Sequence, residues 1–231
     1  AVQSGTSGTD QLAVPAMILD GNSRISLSNN DGAAGDSNSG NTIVGNTVWN
    51  NSSNNASDYN TIMGYGCMSV GAVAGATNNV GIGAYALTDI TSGDYNTVVG
   101  SDAGANITDS NGNTAVGYQA LVLNTTGSHN TALGYKAMDD FVDGSYNVGI
   151  GSGALGGTIG GTADGSSYNI AIGYLAAGGD WADEDCSNLV AIGHNALAGV
   201  LEGDDVDGTV AIGKSALAAL TSGAGNVAVG F

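Results

Sequence analysis

The chain has 231 residues, 40 of them glycine and only one proline, and 21 acidic residues against three basic ones give it a formal net charge of −18. Its glycines keep no every-third-residue period, which excludes collagen, and the single proline excludes a proline-rich linker. The acidic balance argues against electrostatic binding of nucleic acid or anionic membrane. Hydrophobic residues make up 42%, mostly alanine, valine, isoleucine and leucine, which predicts a folded chain with a thin core of small side chains. No stretch approaches the roughly 18 consecutive apolar residues of a membrane span, and no signal peptide is visible. The chain begins at Ala1 without methionine, which is compatible with processing or with a fragment.

Residues 1–40 differ from the rest. The segment Ala16-Met-Ile-Leu-Asp-Gly-Asn-Ser-Arg-Ile-Ser-Leu27 reads as two short strands about the Gly21-Asn22 turn, a cap or joint preceding the remainder. Residues 41–231 form a second unit, because from Asn41 onward the chain repeats itself. The unit Asn-Thr/Val-x-Ile/Val-Gly, usually followed by two variable residues and Ala-Leu, recurs with glycines at Gly45, Gly64, Gly83, Gly100, Gly117, Gly134, Gly151, Gly173, Gly193, Gly213 and Gly230. The spacings are 19, 19, 17, 17, 17, 17, 22, 20, 20 and 17.

Each column of this alignment has a physical reading. The residues three and one before the glycine are β-branched or aliphatic (Thr114 and Val116, Ile170 and Ile172, Val210 and Ile212), while the residue between is often alanine or glycine. That is period-two alternation, predicting a short strand with one bulky and one thin face. The glycine then marks a corner where the chain turns sharply or approaches a neighbouring backbone. Three residues later stands an alanine (Ala86, Ala103, Ala120, Ala137, Ala154, Ala176, Ala196, Ala216), often followed by leucine. This pair predicts a second short inward-facing strand in each repeat. An asparagine opens the unit at Asn41, Asn60, Asn79, Asn96, Asn113, Asn130, Asn147, Asn169 and Asn226, and stacked copies predict an amide ladder that Leu189 and Thr209 interrupt.

A 17-residue unit cannot enclose a core alone, whereas stacked coils pair each strand with those above and below. The expected fold is therefore all-β: a parallel β-roll or β-solenoid of about eleven coils of 17–22 residues. At about 4.8 Å per coil, the ten steps make a rod of roughly 50 Å. Extra residues fall between the alanine-leucine corner and the next strand, at 156–168, 178–188 and 198–208, so length variation gathers on one side of the stack.

Familiar motifs dissolve into this repeat. The string Gly208-Thr-Val-Ala-Ile-Gly-Lys214-Ser215 spells a phosphate loop, but its Val210 to Ile212 is the unit's own strand and no helix is expected after it. Gly81-Ile-Gly83-Ala-Tyr-Ala86 imitates a dinucleotide fingerprint for the same reason. His129 and His194 lie in different columns with no partners for a catalytic triad, and His194 shares a lateral column with Tyr118, Tyr135 and Tyr174. Cys67 stands where other repeats carry alanine and is expected buried; Cys186, in Asp183-Glu184-Asp185-Cys186, is expected exposed. The acidic loops 180–185 and 204–207 lack calcium-loop spacing, so solvated charge is favoured over bound Ca2+. Asn106 and Asn124 lie in glycosylation sequons of the kind expected by chance. Trp49 falls in the leucine column and is expected in the core, whereas Trp181, with Asp183, Glu184 and Asp185, is the candidate outward receptor-contact loop.

The units NTAVGYQAL, NIAIGYLAA, TVAIGKSAL and NVAVGF resemble the head repeats of trimeric autotransporter adhesins, the YadA-like left-handed β-roll, and similar units occur in tail fibres and appendages of phages and other viruses. The resemblance spans about residues 41–231. It implies a homotrimer, intertwined or side by side, whose thin alanine-rich faces pack around a threefold axis, with residues 1–40 as a fibre joint. The functional expectation is a non-catalytic structural fibre protein of a virion appendage or other extracellular location. Its partners would be copies of itself, with variable loops meeting a host glycan or protein; no nucleic acid, membrane insertion, catalytic residue or cofactor is expected. A microbial surface adhesin or extracellular filament is the alternative. An ice- or polysaccharide-binding solenoid is a weaker reading, because the outer columns mix tyrosine, alanine, serine, histidine and lysine, and an enzyme is the weakest, with a pair of loop carboxylates in a polysaccharide-cleaving fibre as its one route.

Overall fold

The computed structural model describes residues 18–19, 25–26, 40–48, 57–69, 73, 75–156, 165–179, 186–199 and 206–230. Two strands near the start, β1 (Ile18–Leu19) and β2 (Ile25–Ser26), pair antiparallel, as the Gly-Asn turn between them predicts. From Thr42 on, every strand belongs to one parallel sheet. Its members are β3 (Thr42–Asn46), β4 (Thr61–Tyr65), β5 (Val80–Ile82), β6 (Thr97–Val99), β7 (Thr114–Val116), β8 (Thr131–Leu133), β9 (Val148–Ile150), β10 (Ile170–Ile172), β11 (Val190–Ile192), β12 (Val210–Ile212) and β13 (Val227–Val229). They lie side by side in strict sequence order, each paired in register with its equivalent in the next unit, such as Ala115 with Ala132 and Ala171 with Ala191. The fold is an all-β solenoid with one strand per coil.

The second strand expected at each alanine-leucine pair is not formed. Those residues make a turn instead, with the leucine in the left-handed region: φ is 52° at Leu87, 55° at Leu121 and 51° at Leu197. The alanine and the residue after it nevertheless point inward, and Ala86, Leu87, Ala120, Leu121, Ala196 and Leu197 are fully buried. Beyond the turn, burial follows a period of three rather than two. In one coil Leu121, Asn124, Gly127 and Asn130 are buried with two less buried residues between each pair, and Met138, Phe141, Gly144 and Asn147 repeat the pattern. A narrow coil results, with the strand as its one regular segment.

The strand's thin face turns into the coil. Val98, Ala115, Ala132, Ala171, Ala191 and Ala211 are fully buried, while their bulky neighbours face outward. This is the reverse of the expectation that the thin faces meet at an axis between chains, because the interior of a 17-residue coil is too narrow for a second bulky row opposite leucine. Where the strand carries a larger residue inward, room comes from its own coil or from the next one: Ile62 and Met68 are both fully buried, and the following strand carries Gly81, where a Cβ would meet Ile62 Cδ1 at 3.2 Å. Val98 replaces alanine in the coil where Gly104 replaces leucine, and a Cβ on Gly104 would meet Val98 Cγ2 at 3.3 Å and Ile107 Cδ1 at 2.9 Å. Interior volume is thus balanced within a coil or between neighbouring coils, as close packing requires.

Side-chain ladders tie the coils together. The predicted asparagine ladder is present: Asn147 N–H donates to Asn130 Oδ1 (2.9 Å), and Asn130 Nδ2 donates to Gly144 O (2.8 Å). Equivalent bonds run from Asn41 through Asn169, with Leu189 N–H donating to Asn169 Oδ1 (2.9 Å). A second ladder two residues before each asparagine escaped the sequence reading. There Ser128 Oγ accepts from Asn111 N–H, Ser145 Oγ from Ser128 N–H and Ser167 Oγ from Ser145 N–H, each at 3.0 Å. Asp94 and Asp207 serve the same column, accepting from Thr77 N–H (2.6 Å) and Ser187 N–H (2.7 Å). Backbone groups outside the strands, which a coil this thin would leave unpaired, are satisfied from the coils above and below.

Candidate interaction surface

The bulky outward face of the sheet is its most distinctive surface. Two columns of side chains run along the strands. One reads Thr42, Thr61, Val80, Thr97, Thr114, Thr131, Val148, Ile170, Val190, Val210, Val227; the other reads Val44, Met63, Ile82, Val99, Val116, Leu133, Ile150, Ile172, Ile192, Ile212, Val229. None of these side chains is buried, and Leu133 is 45% and Ile170 38% exposed. In-register parallel pairing fixes the geometry: about 4.8 Å between rungs over about 50 Å of stack. Isolated apolar residues on a surface are ordinary, whereas a continuous strip of this length is an interaction feature.

Aromatic columns border the strip on both sides. Immediately after the corner glycine stand Tyr65, Tyr118, Tyr135, Tyr174 and His194; Tyr118 and Tyr135 stack with centroids 5.5 Å apart, and Tyr174 and His194 at 5.2 Å. Immediately before the ladder asparagine stand Tyr59, Tyr95, His129, Tyr146 and Tyr168, with His129 stacked on Tyr146 at 5.0 Å and Tyr146 on Tyr168 at 5.3 Å. Only the first column was noticed from the sequence, through His194. Aligning the residue before each asparagine would have found the second. Both histidines are exposed, as expected of lateral positions.

Carboxylates are absent from this surface. Across the two strand columns and the two flanking columns of the repeat there is no aspartate or glutamate, and Lys214 is the one charged member, in a chain carrying 21 acids. The nearest described acids stand one position outside the aromatic columns, as Asp58 and Asp94 do before Tyr59 and Tyr95. Asp139 pairs with Lys136 at 3.3 Å, and that hydrogen-bonded carboxylate raises the lysine's pKa.

The glycines and cysteines are placed as follows. Repeat glycines from Gly45 to Gly230 have φ between 126° and 150°. A Cβ on any from Gly45 to Gly213 would lie 1.8 to 2.6 Å from the next coil's glycine carbonyl oxygen, so the sharp turn and the close approach coincide. Cys67 is buried as expected: its thiol donates to Ala86 O (3.0 Å), and burial pushes it up to about 12, keeping it protonated. Cys186 is also fully buried, contrary to expectation, because it occupies the inward column of Ser110 and Ser166 and its carbonyl accepts from Asn169 Nδ2 (2.7 Å). Period-three burial, not the neighbouring acids, decides its side. Asn124 is fully buried too, so its sequon is closed to a glycan in the folded coil.

Trp49, Trp181, Asp183, Glu184 and Asp185 lie outside the described residues, as do the other acids of the two loops apart from Asp207. Among the described residues no group of three or more His, Cys, Asp or Glu could hold a metal ion, and no helix is long and apolar enough to cross a membrane. The phosphate-loop string holds β12 between Gly208, at φ 69°, and Gly213, at φ 126°; a turn follows rather than a helix. Comparison with known protein families, curated proteins and solved structures finds no match.

Proposed function

We propose that this chain is a non-catalytic structural fibre segment whose copies associate side by side through the outward aliphatic face of the sheet. One observation carries the reading: a chain of net charge −18 keeps eleven rungs free of carboxylates, with one outward column apolar throughout and the other built of threonine, valine and isoleucine. Like-charged chains can approach closely along such a strip, and burying it removes its exposed apolar side chains from water. A second solenoid of the same rise meets every rung in register, which a partner without that periodicity cannot do. Three copies about an axis is the arrangement implied by the adhesin-head resemblance, here with the bulky faces inward rather than the thin ones. A rod of this kind serves as the shaft of a virion appendage; a microbial surface filament is the alternative and would use the same coil.

Light scattering on the purified chain at micromolar concentration tests the reading. The expected mass is three times that of one chain. Val116→Asp with Ile150→Asp, which places carboxylates in the strip without touching the interior, is expected to yield a single-chain mass with unchanged β circular dichroism. A wild-type chain that remains a monodisperse monomer removes the proposal.

A further inference from the structure

We propose that the two aromatic columns bracketing the strip are the rims of the same contact and pack against a second copy of this chain; the inference rests on the side-by-side association proposed above. Every one of the nine tyrosines is between 43% and 65% exposed, and none contributes to the core. Tyrosine is ordinarily intermediate in burial, so a chain that exposes all of them uses them at a surface.

Their backbone strengthens the case. Tyr59, Tyr95, Tyr146 and Tyr168 have φ of 60 to 62°, at a position that other coils fill with Gly40, Gly112, Asn78 or Asn188. Glycine and asparagine occupy that conformation with little strain, whereas a bulky side chain is penalised there. The neighbouring coils hold this conformation, and none of the four rings is buried in the core, so what the rings contribute is made at the surface.

The stacking geometry selects the partner. Tyr146 lies between His129, at 5.0 Å, and Tyr168, at 5.3 Å, with its plane within 20° and 1° of theirs, so both of its faces are covered. Sugar rings stack on open aromatic faces, which this run of rings closes at its centre. Ring edges and phenol hydroxyls instead suit the polar, aromatic rim of a protein interface. Both columns adjoin the strip, hold no carboxylate and keep the coil's spacing wherever a ring occurs, so the partner that matches them is another copy.

Nitration by tetranitromethane, read tyrosine by tyrosine by mass spectrometry, tests this, with light scattering on the same samples. In the assembled wild type, Tyr118, Tyr135, Tyr146 and Tyr168 are expected to react at least fivefold more slowly than in the Val116→Asp/Ile150→Asp chain. Wild type diluted until it dissociates gives the same comparison if that variant does not fold. Tyr118→Ala with Tyr135→Ala is expected to weaken association at least tenfold with the β signal intact. Equal tyrosine reactivity in assembled and dissociated chains, or unweakened association of the double variant, overturns the rim and leaves the strip standing. A single-chain mass for the wild type removes both.

Discussion

At Gly117 the backbone takes φ 140°, and a Cβ would stand 2.2 Å from the Gly134 carbonyl oxygen of the next coil. The first condition belongs to a region populated essentially by glycine, and the second leaves no room for any side chain. Two independent requirements meet at one atom, which is why the glycine recurs when so much else varies. Gly117→Val is expected to cost about 3 kcal/mol or more, read by chemical unfolding. Gly208→Ala is the control, since φ there is 69° and nothing lies within 4 Å of its Cβ position; it should cost only about 1 kcal/mol. Equal losses at the two sites would mean that the close approach of coils is not what fixes the repeat. The corner was legible in the sequence because glycine has no chemical substitute there. The side on which Cys186 falls was not, because cysteine is tolerated both inside and outside.

Between coils, the element that matters is the ladder rather than the strand, whose three residues are too few to hold a sheet alone. Asn130 accepts the Asn147 amide and donates to Gly144 O, so one side chain satisfies two buried backbone groups of the next coil. Asn130→Asp keeps the shape and the acceptor but loses the donor, placing a carboxylate against a carbonyl oxygen. The expected loss is about 3 kcal/mol near neutral pH, because a buried charged group is left facing an acceptor. Its sign with pH is distinctive: the folded coil holds the acid's proton more tightly than the unfolded chain does, since the protonated form restores the donor to Gly144 O. Stability of this variant relative to wild type should therefore recover as the pH is lowered and be lost as it rises, measured by thermal unfolding across pH. A pH-independent deficit would show that the donor arm contributes nothing. Leu189 and Thr209 show the same element failing naturally: Thr209 Oγ1 is buried without a partner, and Thr209 N–H turns to Val206 O in its own coil at 3.3 Å.

For the whole molecule, in-order stacking means that each coil meets mainly its two neighbours, so stability is close to a sum over coils and their contacts. Deleting one complete unit, Asn113 to His129, brings the coil of Asn96 against that of Asn130 with glycine, asparagine and strand columns still in line. The shortened chain is expected to fold, to melt a few degrees lower, and to give a rod about 4.8 Å shorter by small-angle X-ray scattering. Deleting only residues 113–120 breaks every column at once and is expected to leave the chain unfolded. Folding of both deletions alike would contradict a solenoid held in register by its side chains.

By itself the sequence determined the repeat, its corner glycine, the asparagine ladder and the parallel in-order stack. Each follows from a requirement that recurs at every coil and that one residue type meets best. Only the tertiary structure decided which strand face is outside, because alternation gives two faces without saying which one the rest of the coil closes over. The narrowness of that interior settles it: alanine fits opposite leucine, so valine and isoleucine are turned out. Period-three burial and the second ladder were hidden for a related reason. They arise from left-handed residues such as Gln119, Leu121 and His129, whose φ of 53 to 60° is imposed by the coils above and below rather than by local preference.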